Sequence, residues 1–190
     1  MQLVFATHNK NKFEEVKKIL PKNIRLLSLF DIGCIDDIPE TAPTIAGNAM
    51  LKAHHIARRY AVNCFADDTG LQVNALNGAP GVYSARYAGN AKDPSANTAL
   101  LLKNLEGKTD RTARFVTCIA LKWGLNEMLF NGICEGTIIK KPRGTGGFGY
   151  DPVFLPKGYE QTFAEMPLPQ KSEIGHRGKA IQQLIDHLSP

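Results

Sequence analysis

Leu3-Val4-Phe5-Ala6-Thr7-His8-Asn9-Lys10-Asn11-Lys12-Phe13 sets the class of fold. Residues 3–6 are a short apolar run with β-formers and read as a buried strand. Polar residues follow. From Lys10 onward, Phe13, Val16, Ile19 and Leu20 fall on one helical face that ends before Pro21. A strand leading through a polar loop into a helix is the opening of an α/β unit.

The alternation continues along the chain. Residues 24–29 are expected as a second strand. Ile45, Ala49, Ala53, Ile56, Ala57 and Tyr60 repeat at helical spacing across 44–60. Cys64-Phe65-Ala66, Asp67-Asp68 and Leu71-Gln72-Val73 read as strand, turn and strand. Residues 77–81 form a turn, and 94–105 a helix with Pro94 in its first turn. Residues 115–123 and 128–139 are two long strands around Gly124-Leu125-Asn126, hence a hairpin. A basic, glycine-rich loop at 140–149 precedes a short apolar stretch at 150–155, interrupted by Pro152. The last helix is expected at 176–188, with Ala180, Ile181, Leu184, Ile185 and Leu188 inward. No repeat or low-complexity linker divides the chain, so one compact α/β domain over 1–190 is expected.

With 190 residues, 43% of them hydrophobic, the chain buries enough surface to fold without disulfides or a structural metal. Cys34, Cys64, Cys118 and Cys134 are widely spaced, with neither a zinc pattern nor a disulfide framework, so free thiols in a reducing compartment are expected. The chain opens without a basic leader and has no apolar run of membrane-spanning length. A cytoplasmic location is the expectation. The net charge of +5 suits an anionic small ligand, a nucleic acid or a merely soluble surface, and does not choose among them.

Four segments carry candidate chemistry. Thr7-His8-Asn9-Lys10-Asn11-Lys12 lies where a strand meets a helix N-terminus, which attracts anions; lysines there oppose the helix dipole unless an anion shares the site. It also reads as a polar turn with Asn9 or Asn11 as N-cap. Asp67-Asp68 at a strand end places two mutually repelling carboxylates where a cation would be welcome, and Mg²⁺ takes one or two carboxylates plus phosphate oxygens. Alternation along a strand sends only one of the two into such a site, and Asp-Asp-Thr-Gly is also good turn chemistry. Arg143-Gly144-Thr145-Gly146-Gly147-Phe148-Gly149-Tyr150-Asp151-Pro152 matches G-x-G-x-x-G formally but runs into Pro152 rather than a helix, so it is no dinucleotide fingerprint. It suits a loop whose aromatics lie against a flat base, but taken alone it reads better as a wide hairpin or bulge with core aromatics. Lys171, His176 and Arg177 cluster just before and into the last helix, as anion or carbonyl donors or as a solvated cap.

Together these segments resemble the Ham1/inosine triphosphate pyrophosphatase family in its bacterial branch. The matching pieces are Thr7-His8-Asn9-Lys10-Asn11-Lys12, Glu40-Thr41, Asn48-Ala49 with Lys52-Ala53, and Ala66-Asp67-Asp68-Thr69-Gly70-Leu71. They continue with the run from Gly78 to Gly89, the run from Gly144 to Pro152, and Lys171-Ser172 with His176-Arg177-Gly178, in family order over nearly the whole chain. The resemblance implies an elongated mixed central sheet flanked by helices, two lobes with the nucleotide in a cleft between them, and a homodimer. It implies Mg²⁺-dependent hydrolysis of non-standard purine nucleoside triphosphates (ITP, dITP, XTP) to monophosphate and pyrophosphate. By carry-over, Asp68 is general base and metal ligand and Glu40 the second metal acid. Thr7, His8, Asn9, Lys10, Asn11, Lys12, Thr69, Phe148, Gly149, Tyr150, Asp151, Lys171, His176 and Arg177 contact substrate, with Asp67 and Lys52 in support.

One departure stands out: many relatives carry a Glu just before Asn48 or one residue earlier, where this chain has Gly47 and Ala46. A base-reading donor from His176 or Arg177 would face a 6-oxo acceptor in hypoxanthine and a clashing 6-amino donor in adenine. Other readings remain: a pyrimidine-selective enzyme, a catalytically impaired relative, or, from another class, a non-catalytic nucleic-acid-binding protein suggested by the pI of about 9.0. Against the last, the basic residues are scattered and no nucleic-acid motif or membrane segment appears.

Overall fold

The computed structural model describes residues 1–189. Its elements are β1 (Gln2–Phe5), α1 (Lys10–Ile19), β2 (Arg25–Leu27), α2 (Ile45–Tyr60), β3 (Cys64–Val73), β4 (Pro80–Gly81), α3 (Pro94–Asn104), β5 (Thr112–Trp123), β6 (Asn126–Ile138), β7 (Phe154–Pro156), α4 (Leu168–Ile174) and α5 (His176–Leu188), with four short 3-10 turns. The strands form a mixed sheet in the order β2-β1-β3-β5-β6-β7, with β4 also on β3. β1 runs parallel to both β2 and β3, pairing Leu3 with Leu26 and Phe5 with Phe65; β4 on β3 and β7 on β6 are antiparallel.

The chain divides into two compact units. Among the described residues, the first is built from 1–68, 117–132 and 177–189, the second from 69–116 and 133–176. In the first, Leu3, Phe5 and Phe65 meet Val16 of α1, Ile119 and Leu121 of β5, and Ala180, Ile181 and Leu184 of α5. Phe5 and Phe65 stack at 4.5 Å, and each such fully buried ring contributes about 1.5–3 kcal/mol. In the second, Leu71, Val73, Leu101, Phe115, Phe154 and Phe163 form a separate core.

Two expectations need correction, and one further helix appears. Residues 64–73 are one unbroken strand, not strand, turn and strand. The turn chemistry of Asp-Asp-Thr-Gly is overridden because both carboxylates find cationic partners. The second strand spans only Arg25–Leu27 and gives way to a 3-10 turn at Phe30–Ile32. Lys171 lies ahead of the last helix as expected, but inside a short helix of its own, α4.

Candidate active site

The loop between β1 and α1 is organised by its short polar side chains. Thr7 Oγ1 accepts from the Asn9 amide at 3.2 Å, and Asn9 Oδ1 accepts from the Lys12 amide at 3.1 Å, so Asn9 is the N-cap. A lysine in the first turn opposes the helix dipole. Here the Lys12 ammonium turns inward and meets Asp67 Oδ1 at 3.0 Å, which offsets that cost. His8 Nε2 donates to the Asp36 carbonyl at 2.7 Å. Lys10 and Asn11 are exposed.

Successive residues of β3 point to opposite sides, and the two aspartates therefore have different partners. Asp67 takes Lys12 on one oxygen and Arg177 Nε on the other at 3.2 Å. Arg177 NH1 in turn donates to Glu15 at 2.6 Å. Lys12 and Glu15, three apart on α1, thus meet β3 and α5 in a buried tetrad of two cations and two carboxylates. Burial alone would raise the Asp67 pKa, but Lys12, Arg177 and Lys52 hold it well below the usual carboxylate range. Burial likewise works against Arg177, and Asp67 and Glu15 more than reverse it, so its charge is reinforced. For Lys12 burial prevails, with Lys52 and Arg177 adding to it against Asp67.

Asp68 has another environment. Asn48 Nδ2 donates to its Oδ2 at 3.2 Å, and Lys52 Nζ lies 3.9 Å from its Oδ1 while also pairing with Glu40. Asn48 and Lys52 come from one buried face of α2, four residues apart. Burial pushes the Asp68 pKa up, partly countered by Lys52 and Lys12, with Glu40 adding to the rise. Burial opposes the Lys52 charge, but Asp68, Glu40 and Asp67 together push its pKa above the ordinary value. Lys52 thus faces two carboxylates. Across both groups, Lys12, Lys52 and Arg177 stand among Glu15, Glu40, Asp67 and Asp68.

The absent carboxylate beside Asn48 is built into the local backbone. A Cβ on Gly47 would lie 2.7 Å from Ala42 Cβ and 2.9 Å from Thr44 Oγ1, the N-cap oxygen that accepts the Gly47 amide. A side chain there requires this corner to open.

The second unit holds the remaining predicted residues. Lys171 Nζ donates to Asp151 Oδ2 at 2.6 Å, and the same oxygen accepts from the Phe148 amide at 2.8 Å. The Lys171 ammonium lies 5.0 Å from the centre of the half-buried Phe148 ring. His176 stacks on Phe115 at 4.5 Å. Thr69 is half-buried at the start of this unit, and Gly149 adopts φ +64° ahead of Tyr150. Tyr150 corrects an expectation: it belongs to the core, and its hydroxyl donates to the Ser84 carbonyl at 2.9 Å, so its ring presents no face to a base.

Sequence reasoning named Lys12, Glu40, Lys52, Asp67, Asp68 and Arg177 in separate segments, and the structure brings them into one constellation, with Phe148, Asp151 and Lys171 in another. It missed Glu15, whose signal was its position one residue before the buried Val16 on the inward face of α1. It also gave Asn48 no role. Among the described residues, no three His, Cys, Asp or Glu side chains are grouped to hold a metal ion by themselves, and no helix is long and apolar enough to cross a membrane.

Comparison with known proteins bears directly on this arrangement. The family model described as the Ham1 family matches residues 3–187. A dITP/XTP pyrophosphatase of Christiangramia forsetii is 58% identical over 189 residues, covering 100% of both chains. One from Porphyromonas gingivalis is 50% identical, covering 98% of this chain and 97% of its own. Among solved structures, a HAM1 protein from Coxiella burnetii superposes with a TM-score of 0.91 at 36% identity, covering 99% of this chain and 98% of that one. The Staphylococcus aureus Ham1 protein gives 0.89 at 38% identity, with the same coverages. A match running through both units, from β1 to the last turn of α5, leaves no part of the fold unaccounted for: this chain belongs to the Ham1 family.

Proposed function

We propose that this chain hydrolyses non-standard purine nucleoside triphosphates, dITP, XTP and ITP, to the monophosphate and pyrophosphate. The observation that carries the reading is the convergence of Glu40 and Asp68 on Lys52, beside Lys12. The names of the full-length relatives point to the same chemistry.

The donor set fits Mg²⁺. Glu40 and Asp68 both reach one ammonium, so they lie close enough to serve one cation, and two carboxylates completed by phosphate oxygens are an ordinary set for this ion. Glu40 and Asp68 would hold it, and when bound it neutralises phosphate charge and polarises the attacked phosphorus. The chain's own residues do the rest. Asp68, kept in place by Asn48, accepts the proton of a water attacking the α-phosphorus. Lys12 and Lys52 offset charge on the departing pyrophosphate, as does Lys171, and the capped loop Thr7 to Lys12 orients the phosphates. Asp67 fixes Lys12 and Arg177, which leaves the general-base role to its neighbour.

The His176-Arg177 segment is assigned to the 6-oxo edge of the base. Arg177 is engaged by Asp67 and Glu15, so its donation to a base would require an exchange of partners. A donor set against the 6-amino group of adenine costs roughly 1–3 kcal/mol, or about ten- to a hundredfold in selectivity. A homodimer in the cytoplasm completes the proposal; the four buried free cysteines suit a reducing compartment.

The test is incubation of the protein with dITP, XTP, ITP and dATP, with and without Mg²⁺, separating pyrophosphate from orthophosphate. Pyrophosphate from the first three, with Mg²⁺ only, is expected. Stepwise orthophosphate release would overturn the reading.

A further inference from the structure

Glu40 has to be held still, yet it sits in an irregular segment between β2 and α2. The segment is pinned on both sides of it. On the C-terminal side, the Ala42 amide donates to Asn48 Oδ1 at 2.9 Å, and the other end of that amide side chain donates to Asp68. On the N-terminal side the pin is Asp36. Its carboxylate takes His55 Nε2 at 3.0 Å and Arg59 Nε at 2.7 Å, residues one turn apart on α2. Its carbonyl accepts from His8 of the phosphate loop at 2.7 Å. Between Asp36 and Glu40 the chain has little slack: Ile38 is buried and Pro39 fixes its own φ. A single residue therefore joins the phosphate loop, the approach to Glu40 and the C-terminal half of α2.

We propose that Asp36 is a positioning residue, strapping the His8 loop and the Glu40 segment to α2 so that both meet the substrate in register. The proposal rests on the function given above for Glu40. Fixing Asp36 fixes the start of a short tether whose far end is the carboxylate, and fixes the carbonyl that orients the His8 ring with its proton on Nε2. Reacting groups tolerate little displacement: a shift of about 1 Å costs on the order of a hundredfold.

The test is a double-mutant cycle of Asp36→Ala with Glu40→Ala in dITP hydrolysis, with imidazole ¹⁵N spectra of His8. Asp36→Ala is expected to lower kcat about tenfold in the wild-type background and less than about twofold in the Glu40→Ala background. Asp36→Asn, which keeps an acceptor for His55 and Arg59, is expected to recover most of the loss. Asp36→Ala is also expected to shift and broaden the His8 Nε2 resonance, while Asp31→Ala, a control in the same connection, leaves it alone. Independent effects in the cycle, no recovery by Asp36→Asn, or an unmoved His8 resonance would overturn the proposal. If the wild-type protein hydrolyses no purine triphosphate, the functional reading fails by itself, and the His8 resonance alone decides whether the strap exists.

Discussion

Asp67→Asn tests the buried tetrad most severely. The Asp67 side chain is 1% exposed and meets Lys12 at 3.0 Å and Arg177 at 3.2 Å. Asparagine keeps the shape and removes the charge, leaving two buried cations with Glu15 as their one remaining carboxylate in the tetrad. Breaking such a buried arrangement from one side costs about 3–5 kcal/mol. For a chain of this size each kcal/mol moves Tm by about 2–4 °C, so a fall of about 6–20 °C is expected. The assay is thermal and urea unfolding in chelator, with the urea slope checked for constancy. The sign of the pH dependence follows from the depressed pKa of the native carboxylate. Stability from ionised Asp67 is fully present above its ordinary value of 3.8 and is lost as pH falls toward the lower native value. The gap between wild type and variant should therefore be constant above about pH 4.5 and close below it, by up to about 1.4 kcal/mol per pH unit. A loss under about 1 kcal/mol at neutral pH, or a gap that stays constant through the acid range, would refute the reasoning.

Asp68→Asn should lower turnover of dITP by about 10²–10⁴-fold, with a change in melting smaller than that of Asp67→Asn, because Lys52 lies 3.9 Å from Asp68 and keeps its pairing with Glu40; kinetics and melting on one preparation check both. Tyr150→Phe loses one buried hydrogen bond and should cost about 0.5–1.5 kcal/mol while leaving the dITP-over-dATP ratio unchanged. A ratio altered more than about threefold would place the ring at the base after all. Gly147 has φ +68°, and a Cβ there would run into the Asp151 carboxylate that holds Lys171. Gly147→Ala should therefore raise KM for dITP about tenfold or more, read from steady-state kinetics; a near-wild-type KM would contradict the role given to that pair.

The parts of the fold legible in the sequence were those with a long periodic pattern and a physical stop. α5 begins and ends where its apolar spacing does, α1 is capped at Asn9 and ends ahead of Pro21, and the β5–β6 hairpin turns at Gly124 as expected. Residues 64–73 failed because local turn preference and tertiary pairing disagree there. Nothing within ten residues of Asp67 supplies the cations that straighten the strand; Lys12 and Arg177 are 55 and 110 positions away. Tyr150 failed for a related reason: an aromatic in a glycine-rich loop reads alike whether it faces a ligand or the core, and only the Ser84 carbonyl settles which. The site residues came forward through the family resemblance, whereas the division of labour between Asp67 and Asp68, and the parts of Glu15, Asn48 and Asp36, required coordinates.

The central claim is that Asp68 directs water onto the α-phosphorus. Hydrolysis of dITP in ¹⁸O-enriched water, with mass analysis of both products, tests it directly. The account predicts one ¹⁸O in the phosphate of dIMP and unlabelled pyrophosphate. Label in the pyrophosphate, or in released orthophosphate, would place the attack on another phosphorus and contradict it.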